Sequence, residues 1–139
     1  MKKYIILSIL LSFILTGCVR FAPFSPKQLN QNAKGIATVR SIPFGCQFLG
    51  EVEGRDGYRD SHHRMRAPNL SEAREGALND LRNNAAEIAD NTRKRVVLRV
   101  MQEKATCFSP TGACHHMNEY EAIKDYSALG AVFECGNRK

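Results

Sequence analysis

The segment that precedes Cys18 constrains the fold most, because it decides the compartment in which the chain folds. Two lysines are followed by an apolar stretch over residues 4–15 and then by Thr16 and Gly17. This order of basic, apolar and small residues is the layout of a secretory signal. The apolar stretch is also shorter than the roughly 20 residues that a membrane-spanning helix needs. We therefore predict that residues 1–17 are a cleaved signal peptide and that the rest of the chain folds outside the cytosol.

The sequence Leu15-Thr16-Gly17-Cys18 resembles the lipobox of bacterial lipoproteins. The resemblance implies that Cys18 is acylated, with palmitate among its acyl groups, and becomes the new N-terminus. Several acyl chains on one residue hold a protein at a membrane far more firmly than a single chain does. Val19 follows, whereas in the Gram-negative sorting pattern an aspartate there favours the inner membrane. The resemblance thus implies an outer-membrane lipoprotein facing the periplasm. An ordinary signal peptide with a chance cysteine is the alternative.

Four cysteines remain after the lipidated one, an even number in a chain sent to an oxidising compartment. They are Cys46, Cys107, Cys114 and Cys135. Two disulfides follow, and the sequence alone does not select among the three pairings. Proximity along the chain favours Cys107 with Cys114, while Cys46 with Cys135 would join the first core strand to the last. The chain-entropy model gives about 4 to 5 kcal/mol for the long link and about 2 to 3 for the short one.

The charge balance restricts the class of partner. Cleavage after residue 17 lowers the number of basic residues from 20 to 18 against 14 acidic ones, which leaves a formal charge of +4. An exported, mildly basic protein has anionic lipids, wall polymers or another envelope protein as its anionic neighbours, and we expect no contact with nucleic acid. A solvated surface with a modest excess of basic residues is the simpler interpretation. The sequence does not determine the oligomeric state.

The mature chain is predicted to hold a tether and one domain. Residues 18–34 contain two prolines, several amides and no apolar period, which is typical of a flexible tether after the lipidated N-terminus. Residues 35–139 are predicted to form a single α+β domain. Strand patterns occur at residues 36–42, 46–52, 96–101 and 129–135, and the polar stretches 53–68 and 102–125 are predicted as connections.

One helix is predicted between the second and third strands, capped by Asn69 or Ser71 and running to about residue 90. Glu72 stands three residues after Asn69, as in a capping box. The apolar positions recur at helical spacing and form one face: Leu78, Leu81, Ala85 and Ile88. The order β-β-α-β-β predicts a small antiparallel or mixed sheet packed against one amphipathic helix and stapled by disulfides.

Several stretches resemble an uncharacterised family of small bacterial lipoproteins, known mainly as a domain of unknown function. They are Cys-Gln-Phe-Leu-Gly-Glu-Val at residues 46–52, Leu-Arg-Asn-Asn-Ala-Ala-Glu-Ile at 81–88, the strand at 96–98 and the terminal Cys135. That family is similar to RcsF, an outer-membrane stress-sensing lipoprotein. The resemblance implies a non-catalytic binding or stress-sensing module. It also implies a second disulfide arrangement, since the disulfides of RcsF cross between hairpin and core.

A metal-binding or redox module is the alternative function. Cys107, Cys114, His115 and His116 together would offer two thiolates and two imidazoles, a ligand set that suits zinc. Their spacing differs from that of standard zinc motifs, and adjacent side chains on an extended segment point opposite ways. In an oxidising compartment the two thiols should pair with each other. We therefore predict a disulfide here and neither a metal nor a cofactor.

A hydrolase is the remaining class that we considered. Ser61 lies beside His62 and His63, but a nucleophile also needs an orienting group in the correct geometry. The sequence contains neither a Gly-x-Ser-x-Gly motif nor a phosphate-binding loop. We predict that the protein is not an enzyme.

Overall fold

Four strands and one long helix make up the part of the chain that the computed structural model describes, which is residues 20–60, 64–89, 94–115 and 120–137. In chain order they are a 3₁₀ turn (Gln31–Ala33), β1 (Ala37–Val39), β2 (Gln47–Gly57), α1 (Leu70–Ile88), β3 (Lys94–Cys107) and β4 (Ile123–Asn137). This order confirms the predicted α+β class. Within these residues no helix is long and apolar enough to cross a membrane.

The sheet is mixed, with the strand order β1-β3-β4-β2. The short β1 runs parallel to β3, while β3 with β4 and β2 with β4 are antiparallel. The structure corrects the predicted connections, because strand residues occupy 53–57, 102–107 and 123–128. These strand ends are polar because one face of the sheet is solvated there, and this makes their composition similar to that of a loop.

The helix begins as the sequence predicts. The Asn69 side chain accepts a hydrogen bond from the Glu72 backbone N–H at 2.9 Å, and the Glu72 carboxylate accepts one from the Asn69 N–H at 3.0 Å. This reciprocal pair satisfies two of the backbone donors that a helix N-terminus leaves open. The helix ends at Ile88, with Ala89 as its C-cap.

The buried face of α1 is narrower and smaller than the predicted one. Leu81 and Ala85 are buried as expected, whereas Ile88 is 41% exposed, so its assignment to the core was wrong. Alanines complete the buried face and let the helix backbone approach the sheet closely. A Cβ on Gly54 of β2 would lie 2.3 Å from the Ala77 carbonyl oxygen. The core between α1 and the sheet is built from Ala73, Ala77, Leu81, Ala85, Val52, Val96, Leu98 and Val132.

The segment predicted as a flexible tether packs against the helix over its described part, residues 20–34. The Asn79 side chain donates to the Lys27 carbonyl at 2.9 Å, and the Asn83 side chain accepts from the Asn30 N–H at 2.9 Å. The tether prediction is therefore corrected for this stretch. Its polar sequence resembles that of a linker because side-chain amides of the helix, and not a strand partner, satisfy its backbone groups.

A buried carboxylate joins this segment to the sheet. Asp56 of β2 is only 3% exposed. It accepts hydrogen bonds from the backbone N–H groups of Lys27 and Gly57, both at 2.8 Å, and pairs with the Arg59 guanidinium at 3.2 Å. Gly76 of α1 leaves room for it, since a Cβ there would lie 1.7 Å from an Asp56 oxygen. The N-terminal segment, β2 and α1 thus meet at one charged group.

A disulfide lies near each end of the sheet. Cys46 is bonded to Cys135 across 89 residues, and Cys107 to Cys114 across 7. These are the two favoured pairs, the short one for its proximity along the chain and the long one because it joins the first core strand to the last. They differ from the crossed arrangement that the resemblance to RcsF implies. The two ends are separated by the length of β2, about 33 Å at the usual rise of a strand. We call them the Cys46 end and the hairpin end.

Candidate functional site

A groove of about 460 Å³ lies between α1 and the edge of β3. It forms because β1 is short and pairs only with Val97–Arg99. Beyond Arg99, within the described part of the chain, β3 has no strand neighbour on that side. The remaining edge of β3 therefore keeps backbone groups available beside the groove, as edge strands do.

Three arginines line the groove. Arg74, Leu78 and Arg82 follow one another at four-residue spacing on α1, so they share one stripe of the helix. Arg40 enters from the end of β1, and the Arg82 guanidinium donates to the Thr38 hydroxyl at 3.1 Å. Leu98 and Val100 contribute an apolar lining beneath these side chains.

One carboxylate balances part of this charge. Glu103 accepts two hydrogen bonds from the Arg74 guanidinium, at 2.6 and 2.9 Å, and a third from the Tyr126 hydroxyl at 2.5 Å. The hydrogen bonds from Arg74 lower the pKa of Glu103, while burial, aided by the hydrogen bond to Glu103, raises the pKa of Tyr126 to about 12. At neutral pH the pair is a carboxylate and a neutral phenol. Arg74 is thereby fixed, and Arg40 and Arg82 provide the excess positive charge.

The side chains of the groove can bind anionic groups. Guanidinium groups form strong, directional hydrogen bonds with carboxylates and phosphates. An open strand edge can also accept an extended peptide as an added strand. Among the residues that the structure describes, the groove thus places two arginine side chains without an ion-pair partner and an unpaired strand edge side by side.

The predicted metal ligands are only partly brought together. Ligand atoms of Cys107, Cys114 and Glu121 lie within 4.8 Å of one another, and among the described residues this group does not include His115. His115 is exposed, and its backbone N–H donates to the Glu121 carboxylate at 2.8 Å. The two sulfurs are bonded to each other, so neither is a thiolate ligand in this state. His116 lies outside the described residues.

The other chemical predictions fall on residues that the structure does not describe. Cys18, the predicted lipidation site, lies outside the described residues, as do Ser61, His62 and His63. The lipidation and hydrolase predictions thus stay predictions from the sequence.

The groove could not be recognised in the sequence, because Arg74 and Arg82 lie outside the predicted apolar face of the helix and resemble ordinary surface residues. The four-residue spacing of these arginines around Leu78 is the signal that marks them as one stripe. No pattern in the sequence marked Arg40, because it borders the groove only as a result of β1 ending one residue before it. The role of Asp56 was hidden as well, because its strand was predicted to be a loop.

Comparison with known proteins assigns a family. The model of a domain of unknown function, DUF4156, matches residues 27–135, which is most of the chain. This range contains the groove, the buried Asp56 and both disulfides. No curated protein and no solved structure matches the chain. The chain therefore belongs to the DUF4156 family.

Proposed function

We propose that this protein is a non-catalytic lipoprotein of the cell envelope, anchored by an acylated Cys18, whose folded domain binds an acidic segment of another envelope protein. The lipobox-like sequence before Cys18 and the valine after it support an outer-membrane location facing the periplasm. Two disulfides agree with folding in an oxidising compartment.

The observation that carries the binding function is the charge of the groove. Three arginines face one glutamate, and Arg74 already holds that glutamate. Arg40 and Arg82 thus give the groove an affinity for carboxylates. The open edge of β3 beside them favours an extended peptide over a polymer without a peptide backbone, because only a peptide can continue the ladder of hydrogen bonds.

The resemblance to RcsF extends this proposal to stress sensing. In that interpretation the partner segment occupies the groove in one state of the envelope and leaves it in another. A change in occupancy between unstressed and stressed cells would support the extension. An occupancy that stays constant would leave a plain binding module.

Affinity capture from membranes tests the proposal. The full-length, lipidated protein is compared with a variant that carries Arg40→Glu and Arg82→Glu, after crosslinking in intact cells. The matched control reverses two exposed basic residues that do not line the groove, Arg95→Glu and Lys124→Glu. We expect the groove variant to capture little or none of one reproducible partner, because losing two charge-assisted hydrogen bonds of about 2 kcal/mol each weakens binding by on the order of a thousandfold.

Two outcomes would overturn the binding proposal. One is the absence of a reproducible partner under several stresses, and the other is an equal loss of partner in the groove variant and the control. Capture of wall fragments in place of protein would show that the ligand is an anionic polymer, contrary to the proposal.

A metal-binding or redox module is the second candidate, favoured by the closeness of Cys107, Cys114 and Glu121. It requires reduction of the Cys107–Cys114 disulfide, since only free thiolates bind metal well. Counting free thiols and bound metal in protein purified from the envelope separates the two candidates. Fully oxidised, metal-free protein would exclude the second.

A further inference from the structure

A second concavity, of about 690 Å³, lies at the hairpin end and is lined mainly by apolar side chains. Phe21 and Phe108 stand at its rim and are 61% and 52% exposed. The ring of Phe108 packs edge-to-face against Tyr58, with 5.3 Å between centroids. We call this surface the apolar mouth, and its lining is Phe21, Pro23, Tyr58, Met65, Arg66, Ala67 and Phe108.

The apolar mouth is held by the domain and is not a loose cluster. Ala22 donates a backbone hydrogen bond to Arg64 at 2.8 Å and accepts one from Arg66 at 2.9 Å. The Arg66 guanidinium in turn pairs with Glu72 in the first turn of α1 at 2.6 Å. Phe21 is therefore fixed next to the mouth by its neighbour, although it precedes every regular element of the fold.

The position of the mouth limits what can cover it. Cys18 precedes Phe21 by three residues, and an extended chain spans at most about 3.5 Å per residue. The Cα atom of the residue that would carry the lipid can therefore be at most about 10 Å from the Cα atom of Phe21. A bilayer that holds this lipid must pass close to the apolar mouth.

The charges around the mouth suit a lipid surface. Arg20 and Arg64 are exposed beside it, while Arg66, which lines it, is paired with Glu72. Aromatic side chains surrounded by basic ones are typical of segments that rest in the headgroup region, where rings enter the interface and guanidinium groups meet phosphates. A pocket for a soluble ligand would not need its aromatic residues at the rim.

We propose that the apolar mouth docks on the bilayer that anchors Cys18, with Phe21 and Phe108 inserted into the headgroup interface; this rests on the lipidation in the proposed function. Docking orients the domain, since β2 then runs away from the membrane. The Cys46 end is thereby held about one strand length, roughly 33 Å, farther from the bilayer than the hairpin end.

The test uses tryptophan as a depth reporter, because the chain contains none. Full-length protein carrying Phe108→Trp is purified from membranes, shown by mass spectrometry to be acylated, and reconstituted into vesicles of phosphatidylethanolamine and phosphatidylglycerol. The matched control is Phe44→Trp, at a fully exposed phenylalanine of the Cys46 end. Circular dichroism verifies that both variants fold, and a third variant, Phe21→Trp, repeats the measurement on the other side of the mouth.

We expect lipids brominated near the headgroup to quench the emission of F108W and F21W about twofold and that of F44W hardly at all, since interfacial side chains insert about 5 to 10 Å. An acylated, vesicle-bound protein in which F108W and F21W are quenched no more than F44W would overturn this inference and leave the proposed function standing. An unacylated Cys18 would overturn both.

Discussion

The two ends of the sheet both carry a disulfide and exposed phenylalanines, but different forces hold them. At the Cys46 end a single bond joins residues 89 apart, Phe44 is fully exposed, and the half-exposed Phe48 packs edge-to-face against Phe133. At the hairpin end the disulfide spans only 7 residues. The capping box at Asn69 and the buried carboxylate of Asp56 stabilise this end as well. The Cys46 end is therefore closed by one long covalent link and a small apolar cluster, and the hairpin end relies more on hydrogen bonds.

The largest expected effect comes from removing the long disulfide. The double change Cys46→Ser and Cys135→Ser should lower the free energy of unfolding by about 4 to 5 kcal/mol, because it frees a loop of 89 residues in the unfolded chain. Urea unfolding followed by circular dichroism measures this. The counterpart, Cys107→Ser with Cys114→Ser, should cost only about 2 to 3 kcal/mol. Equal losses from the two pairs would break the contrast between the ends.

A glycine substitution tests the buried carboxylate near the hairpin end. Gly76→Ala should cost about 3 kcal/mol, because the new Cβ would collide with a carboxylate that three hydrogen-bonding partners hold in place. The matched control lies at the Cys46 end, where a Cβ on Gly50 would meet Ile88 at 3.6 Å, an ordinary contact. Gly50→Ala should therefore change stability by less than about 0.5 kcal/mol. Thermal unfolding of both variants measures this difference. A Gly76→Ala variant as stable as the parent protein would show that the Asp56 carboxylate is not held in place beside Gly76.

The helix cap contributes less. Asn69→Ala should lower the free energy of unfolding by about 1 kcal/mol, since the Glu72 backbone N–H loses its side-chain acceptor. Ser71→Ala, an exposed position two residues later, serves as the control and should be close to neutral. A cap variant as stable as its control would mean that the hairpin end does not rely on the start of the helix.

The smallest effect is the pH response of β3. The pKa of Glu103 is lowered in the folded state. Its contribution to the free energy of unfolding is therefore complete above its unfolded pKa, near 4.3, and is lost as the pH falls through the folded pKa. The pKa of Tyr126 is raised to about 12, so its contribution is complete below pH 10 and is lost as the pH rises towards 12. Hydrogen exchange should show that the backbone amides of residues 102–107 lose protection first, both at low and at high pH. Arg74→Met should weaken the acid response, and an unchanged response would contradict the assignment.

Some of the fold follows from the sequence because the signal is local. The capping box at Asn69 and the apolar positions Leu81 and Ala85 act within α1, and the structure confirms them. The pairing of Cys107 with Cys114 was favoured for the same reason, since seven residues of chain keep them close.

The rest depends on contacts between distant parts of the chain. The segment over residues 20–34 resembled a linker because its partners, Asn79 and Asn83, lie on the helix. The second half of β2 resembled a loop because Asp56 points into a charged cluster that no local pattern indicates. The groove could not be predicted, because it forms only where β1 ends and the rest of the β3 edge is left without a strand partner.

The envelope location, the proposed partner and the docking on the bilayer all depend on the lipid at Cys18. Mass spectrometry of the protein taken from membranes tests it most directly. We predict a mature chain that begins at Cys18, carries several acyl chains on that residue, and contains both disulfides. A product that keeps residues 1–17, without acyl groups and with four reduced thiols besides Cys18, would contradict the account.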